Sequence, residues 1–191
     1  MTAVLQPKPT QVDFVTLVSA GREKAFQSLS RKYRGSNGQF FTPYPIARFM
    51  AGMQSPRSSM RILDAGAGVG ALTLATVESA LRLGGVNVIE VVCFEKEPVF
   101  KSILEENLEN CRECCADQAV EFRFKVVSED FILAASRELA GESLFSGEQL
   151  GNFTHAILNP PYKKLRSDSE HAHLFERQES RRQTSTRPFC G

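Results

Sequence analysis

The amino-acid sequence predicts an α/β domain in which a parallel sheet is flanked by helices. Three observations lead there: short runs rich in β-branched and apolar residues, helical segments alternating with them, and a glycine, acid or proline signal closing each run. RILDA (61–65) is the first such run, and its glycine loop GAGVG leads into a helix reaching about Leu83. VNVIEVVCFE (86–95) is the second and ends on an acid; a helix from Pro98 to about Cys114 follows it. AVEFRFKVV (119–127) closes in SEDF, and after helix and loop over 132–152 THAILN (154–159) runs into PPY. Four strand–helix alternations are the mark of a parallel sheet, because parallel neighbours need crossover connections.

Ahead of the first strand, residues from about Thr10 to Arg34 read as a helix, with Phe14, Leu17, Val18, Phe26 and Leu29 at helical spacing. GSNGQFFTPYP (35–45) then breaks it with two glycines, an asparagine and two prolines. A second helix opens near Pro45, a residue suited to a first turn, with Ile46, Phe49 and Met50 on one face. Three regions result: a helical segment over 1–34, an α/β domain over 35–165, and an irregular polar tail over 166–191.

Composition is that of an ordinary globular protein, with 42% hydrophobic and 24% charged residues in a chain of 191. A net charge of +1 neither demands a polyanionic partner nor excludes one, since a basic groove can hide in a neutral total. Charged residues interrupt every apolar stretch, so no membrane span is expected, and MTAVLQPKPTQVDF has no signal-peptide pattern. A cytoplasmic location is the expectation. Of five cysteines, Cys111, Cys114 and Cys115 cluster in CRECC, but no second pair follows to complete a zinc site. Reduced thiols and no metal are expected.

In an open parallel sheet, ligands bind beyond the carboxyl ends of the strands, near the point where strand order reverses. The residues to weigh are therefore those that end each run. Gly66, Gly68 and Gly70 let the backbone turn tightly and approach a ligand, but their spacing misses the dinucleotide pattern G-x-G-x-x-G. Asp64 ahead of them suits a ligand carrying an amine better than a pyrophosphate. Glu95 can accept from the paired hydroxyls of a ribose, or be a solvated acid at a strand end. Asp130 can accept from an aromatic amino group and Phe131 offer it a flat face, or the pair can be a loop acid and a core ring. Asn159-Pro160-Pro161-Tyr162 is the sharpest signal. Its prolines end the ladder and fix the backbone, so the Asn159 carbonyl and a main-chain carbonyl can together accept both hydrogens of an amino group, with Tyr162 as a stacking face. A plain proline turn is the alternative.

With these motifs in this order, the chain resembles the class I methyltransferases, and most closely the gamma-type adenine-N6 DNA methyltransferases of restriction–modification systems. The resemblance covers roughly residues 35 to 165 and rests on GQFFTP, DAGAGVG, Glu95, SEDF and NPPY. NPPY alone marks amino-group methylation generally, including that of release-factor glutamine; GQFFTP ahead of the glycine loop narrows it to adenine in DNA. The resemblance implies a Rossmann-like fold and S-adenosylmethionine as cofactor. Phe41, Thr42 and Pro43 would line its methionine end, with Asp64, Ala65 and Gly66 holding that end from the other side. Glu95 would take the ribose, Asp130 the cofactor's adenine amino group and Phe131 its ring. Asn159 and Pro160 would grip the target amino group and Tyr162 would stack on the target base, swung out of double-stranded DNA because a stacked base is out of reach. A restriction endonuclease, as partner or fused domain, is a further implied associate.

The resemblance also implies missing parts. The family's sheet has seven strands, of which four are legible here, and HLFERQESRRQTSTRPFCG has no strand or helix pattern to supply the rest. The expectation is a catalytic domain truncated after NPPY, whose transfer activity as a separate chain is in question. Two alternative readings remain: methylation of protein glutamine or an RNA base, and a non-catalytic fragment that binds cofactor.

Overall fold

The computed structural model describes residues 13–28, 41–139 and 152–159. Four strands, β1 (Ser59–Ala65), β2 (Val88–Phe94), β3 (Glu121–Val127) and β4 (His155–Ile157), form one sheet in the order β3-β2-β1-β4. Every pairing is parallel. Five helices accompany them among the described residues: α1 (Phe14–Ser28), α2 (Tyr44–Gly52), α3 (Ala71–Leu83), α4 (Pro98–Ala116) and α5 (Phe131–Leu139). The parallel sheet flanked by helices is the expected fold class. None of these helices is long and apolar enough to cross a membrane.

Strand order reverses at β1, because β2 leaves on one side and β4 returns on the other. The register aligns the carboxyl ends: Asp64 pairs with Cys93 and with Ile157, and Phe94 pairs with Val127. One row of chain exits therefore lies along one edge of the sheet, the location where open α/β sheets bind ligands.

Burial explains why these segments are strands and helices. Ile62, Ile89, Val91 and Cys93 are fully buried, as expected of strands covered on both faces. Helix α3 is buried on almost every side, and small residues (Ala71, Ala75, Ala80) let α2 and α4 approach it closely. Helix α4 lays Ile103, Leu104, Leu108, Cys111 and Cys115 inward against β3 and α1. Burial raises the Cys111 thiol well above its usual range and Cys115 to about 12, so both are protonated packing groups. No cluster of metal-binding side chains occurs among the described residues.

One expectation is met in part and another changes. Helix α1 occupies Phe14–Ser28, within the longer helix read from the sequence; it starts after Asp13, and residues 10–12 and 29–34 lie outside the described set. Helix α2 starts near Pro45 as expected, but it buries Tyr44, Ala47 and Ala51, with Met50 partly covered. Ile46 and Phe49 are 52% and 70% exposed. The alanine face fits the small residues of α3, and Phe49 lies about 200° around the helix from Ala47 at 100° per residue.

Candidate active site

The glycine loop after β1 is held from three sides. The Ala67 N–H donates to the Phe94 carbonyl at 3.0 Å, tying the loop to β2. The Gly68 N–H donates to Glu95 Oε2 at 2.8 Å, and the Glu97 N–H donates to Oε1 at 2.8 Å. The Asn107 side chain, reaching from α4, donates to the Val69 carbonyl at 2.8 Å. Gly66, Gly68 and Gly70 all have positive φ, the region that favours glycine. Gly70 needs to be glycine for space as well, since a Cβ there would lie 2.8 Å from Leu104 Cδ1.

Glu95 is thus not a solvated strand-end acid. It is 7% exposed, and its carboxylate bridges the two chain exits. Burial raises its pKa, opposed by the N–H groups of Glu97 and Gly68. Each oxygen uses one lone pair on the backbone and keeps another for a ligand hydroxyl.

Asp64 lies beneath the loop, fully buried. Thr73 Oγ1, in the first turn of α3, donates to its Oδ2 at 2.7 Å, while Oδ1 has no hydrogen-bond partner among the described residues. Desolvation pushes its pKa up to about 7, with Thr73 lowering it and Glu95 raising it further. An orphaned buried acceptor costs free energy, so its presence beneath an exposed glycine asks for a donor. Gly66 leaves open space where a Cβ would stand. A donor-bearing ligand such as the aminocarboxypropyl end of S-adenosylmethionine fits this pair of features.

Beyond β3, Asp130 caps α5: its Oδ1 accepts from the Ile132 N–H at 3.0 Å, and its Oδ2 lies 3.6 Å from Lys96 Nζ. Phe131 is half-buried and meets Phe94 edge-on at 5.2 Å, so its ring is partly a core ring. On the other flank, Phe41 packs edge-on against Phe26 and Phe100 and reaches over Gly68. Thr42 is buried and Pro43 exposed, with the Pro43 carbonyl accepting the first N–H groups of α2. Asn159 leaves β4 two residues past Ile157, the partner of Asp64, and its Nδ2 donates to Thr42 Oγ1 at 3.1 Å. Pro160 and Tyr162 lie outside the described residues.

Phe41, Thr42, Pro43, Asp64, Ala65, Gly66 and Asn159 therefore gather around the β1–β4 switch point, while Glu95, Asp130 and Phe131 follow along the β2–β3 side. Thr73 and Asn107 went unread in the sequence. Each interrupts an apolar helical face, Thr73 within ALTLAT and Asn107 among Ile103, Leu104, Leu108 and Cys111, which is the signal that could have marked them.

This strand order, with a glycine loop at the switch point, is the fold of the class I S-adenosylmethionine-dependent methyltransferases. Two solved structures share it. One is described as a modification subunit of a type I restriction enzyme from Vibrio vulnificus; it is 17% identical with a TM-score of 0.54, over 91% of this chain and 37% of that one. The other is described as a class I methyltransferase from Listeria monocytogenes, 13% identical with a TM-score of 0.51, over 88% and 45%. Residues 20–106 match the family model described as N-6 DNA Methylase. Type II methyltransferases M.BsuBI of Bacillus subtilis and M.PstI of Providencia stuartii are each 33% identical, over 148 and 162 residues. The chain spans 28% and 31% of the length of those two methyltransferases.

Proposed function

We propose that this chain carries the catalytic face of an adenine-N6 DNA methyltransferase that works in the cytoplasm within a restriction–modification system. The observation that carries the reading is the adjacency of β4 to β1, which sets Asn159 beside the glycine loop and beside Thr42. S-adenosylmethionine, when bound, supplies an electrophilic methyl group, so the protein's task is orientation.

Asp64 serves the cofactor's ammonium group from beneath, through its orphaned Oδ1, and the Ala65–Gly66 backbone forms the surface above it. Glu95 accepts the ribose hydroxyls with the lone pairs its backbone contacts leave. Asp130 and Phe131 receive the cofactor's adenine at the mouth of α5, where Asp130 also serves as a cap. Phe41, Thr42 and Pro43 close the methionine side. The target adenine of duplex DNA rotates out of the stack. Asn159 Oδ1 and the Pro160 carbonyl would accept from its amino group and Tyr162 would stack on its ring, an arrangement that would orient the nitrogen for methyl transfer.

The test is cofactor binding by calorimetry followed by tritiated methyl transfer to duplex DNA, for the full chain and for Asn159→Ala. Incorporation into N6-methyladenine that Asn159→Ala abolishes, with cofactor affinity kept, is the expected result. Transfer to peptide glutamine or RNA instead would overturn the substrate, and binding without any transfer would leave a cofactor-binding fragment.

A further inference from the structure

We propose that Thr42 is a positioning residue for Asn159: its hydroxyl accepts one Nδ2 hydrogen and so fixes which end of the Asn159 amide meets the target amino group. This rests on the methyl-transfer reading above and adds a role for Thr42 distinct from lining the cofactor. An asparagine amide has a donor end and an acceptor end of nearly equal size, and rotation by 180° about χ2 exchanges them. An amide presenting its NH2 to another amino group would set donor against donor and bind nothing. Something must therefore select the rotamer.

The structure holds the selecting contact. Asn159 Nδ2 lies 3.1 Å from Thr42 Oγ1, across 117 residues of sequence. Thr42 is 8% exposed, so water competes weakly for its hydroxyl. Its backbone is pinned as well, because Pro43 restricts φ and its carbonyl accepts the Ile46 and Ala47 N–H groups at 2.9 and 3.0 Å at the start of α2. Gln54, just past the other end of α2, donates to the Ala156 carbonyl of β4 at 3.3 Å, so helix and strand are tied at both ends. Thr42 is thus a fixed acceptor at the exit of β4. With Nδ2 turned to it, Oδ1 lies about 120° away around the amide carbon, as sp2 geometry requires.

The experiment compares the full chain with Thr42→Val, which is isosteric but lacks the hydroxyl, and Thr42→Ser, which restores it. The first readout is the Asn159 side-chain NH2 pair in a 15N–1H spectrum, which needs no activity. One of the two proton signals should move toward the position of a solvated amide in Thr42→Val and return in Thr42→Ser. An unmoved pair would mean that Thr42 donates to Oδ1 instead, and the proposal fails. The second readout is single-turnover methyl transfer to duplex DNA at saturating S-adenosylmethionine. Thr42→Val should slow it about tenfold, the worth of one buried hydrogen bond, with cofactor Kd changed less than about twofold and Thr42→Ser restoring the rate. A loss confined to cofactor Kd would return Thr42 to a lining role and overturn the positioning. A wild-type chain that gives the expected spectra but transfers no methyl group would overturn the catalytic reading and leave a cofactor-binding fragment, with the amide orientation still decided by the spectra.

Discussion

Asp64→Asn should remove most of the pH dependence that the buried carboxyl imposes on stability. Desolvation raises this acid from an ordinary 3.8 to about 7 in the folded chain. The folded state then binds more protons than the unfolded state between those values, so stability is greatest below about pH 4 and declines as pH rises to about 7. At 1.36 kcal/mol per pH unit, a gap of about 3 units gives a ceiling of ~4 kcal/mol, of which ~3 kcal/mol falls between pH 5 and pH 8. Asparagine keeps the shape, can accept from Thr73 and does not titrate. Urea denaturation at pH 5, 6, 7 and 8 should therefore show Asp64→Asn gaining on the wild type by roughly 2–3 kcal/mol across the range. A residual decline should persist in the variant, because Glu95 is raised by burial in the same direction. The same variant should bind S-adenosylmethionine more weakly at pH 8, since the ionised carboxylate that an ammonium favours is gone. Parallel stability curves for the two proteins would refute the reasoning.

Gly70→Ala should destabilise the chain by about 2–3 kcal/mol in urea titrations, because it combines a left-handed backbone with a Cβ 2.8 Å from Leu104. Gly66→Ala meets no neighbour, so it should cost less stability yet weaken cofactor binding by calorimetry, since its Cβ would enter the ligand's space. Glu95→Gln sets an NH2 group against the N–H of Gly68 or Glu97, and should lower stability by about 1–3 kcal/mol while raising cofactor Kd at least tenfold. Asn159→Ala should leave that Kd within about twofold while single-turnover transfer to duplex DNA falls by at least ~100-fold, as for removal of a group that orients the reacting atom.

The local signals in the sequence determined the strands, their order of appearance and the turn chemistry at their ends. RILDA with its glycine loop, VNVIEVVCFE with its terminal acid and THAILN with its prolines are each legible, because strand propensity and turn residues act over a few neighbours. Even so, periodicity misplaced the buried face of α2. Bulky Ile46 and Phe49 look like a core stripe, but close packing against the small residues of α3 chose Tyr44, Ala47 and Ala51 instead. A helix's apolar residues reveal that it has a face; the neighbour decides which face is used.

What the tertiary structure alone decided are the contacts that distant segments make at the switch point. Glu95 reads as a strand-end acid, and only the loop folding back from β1 turns its carboxylate into a bridge between Gly68 and Glu97. Thr73 and Asn107 went unread in the sequence, and only the packing of α3 and α4 carries them to Asp64 and Val69. The Thr42–Asn159 contact is the limiting case. Neither residue's local pattern refers to the other, and they meet because β4 returns to the far side of β1 rather than extending the β3 edge. Strand order depends on long-range burial and chain crossover, quantities that belong to the whole sheet, so a pairing across 117 residues leaves no trace in either segment.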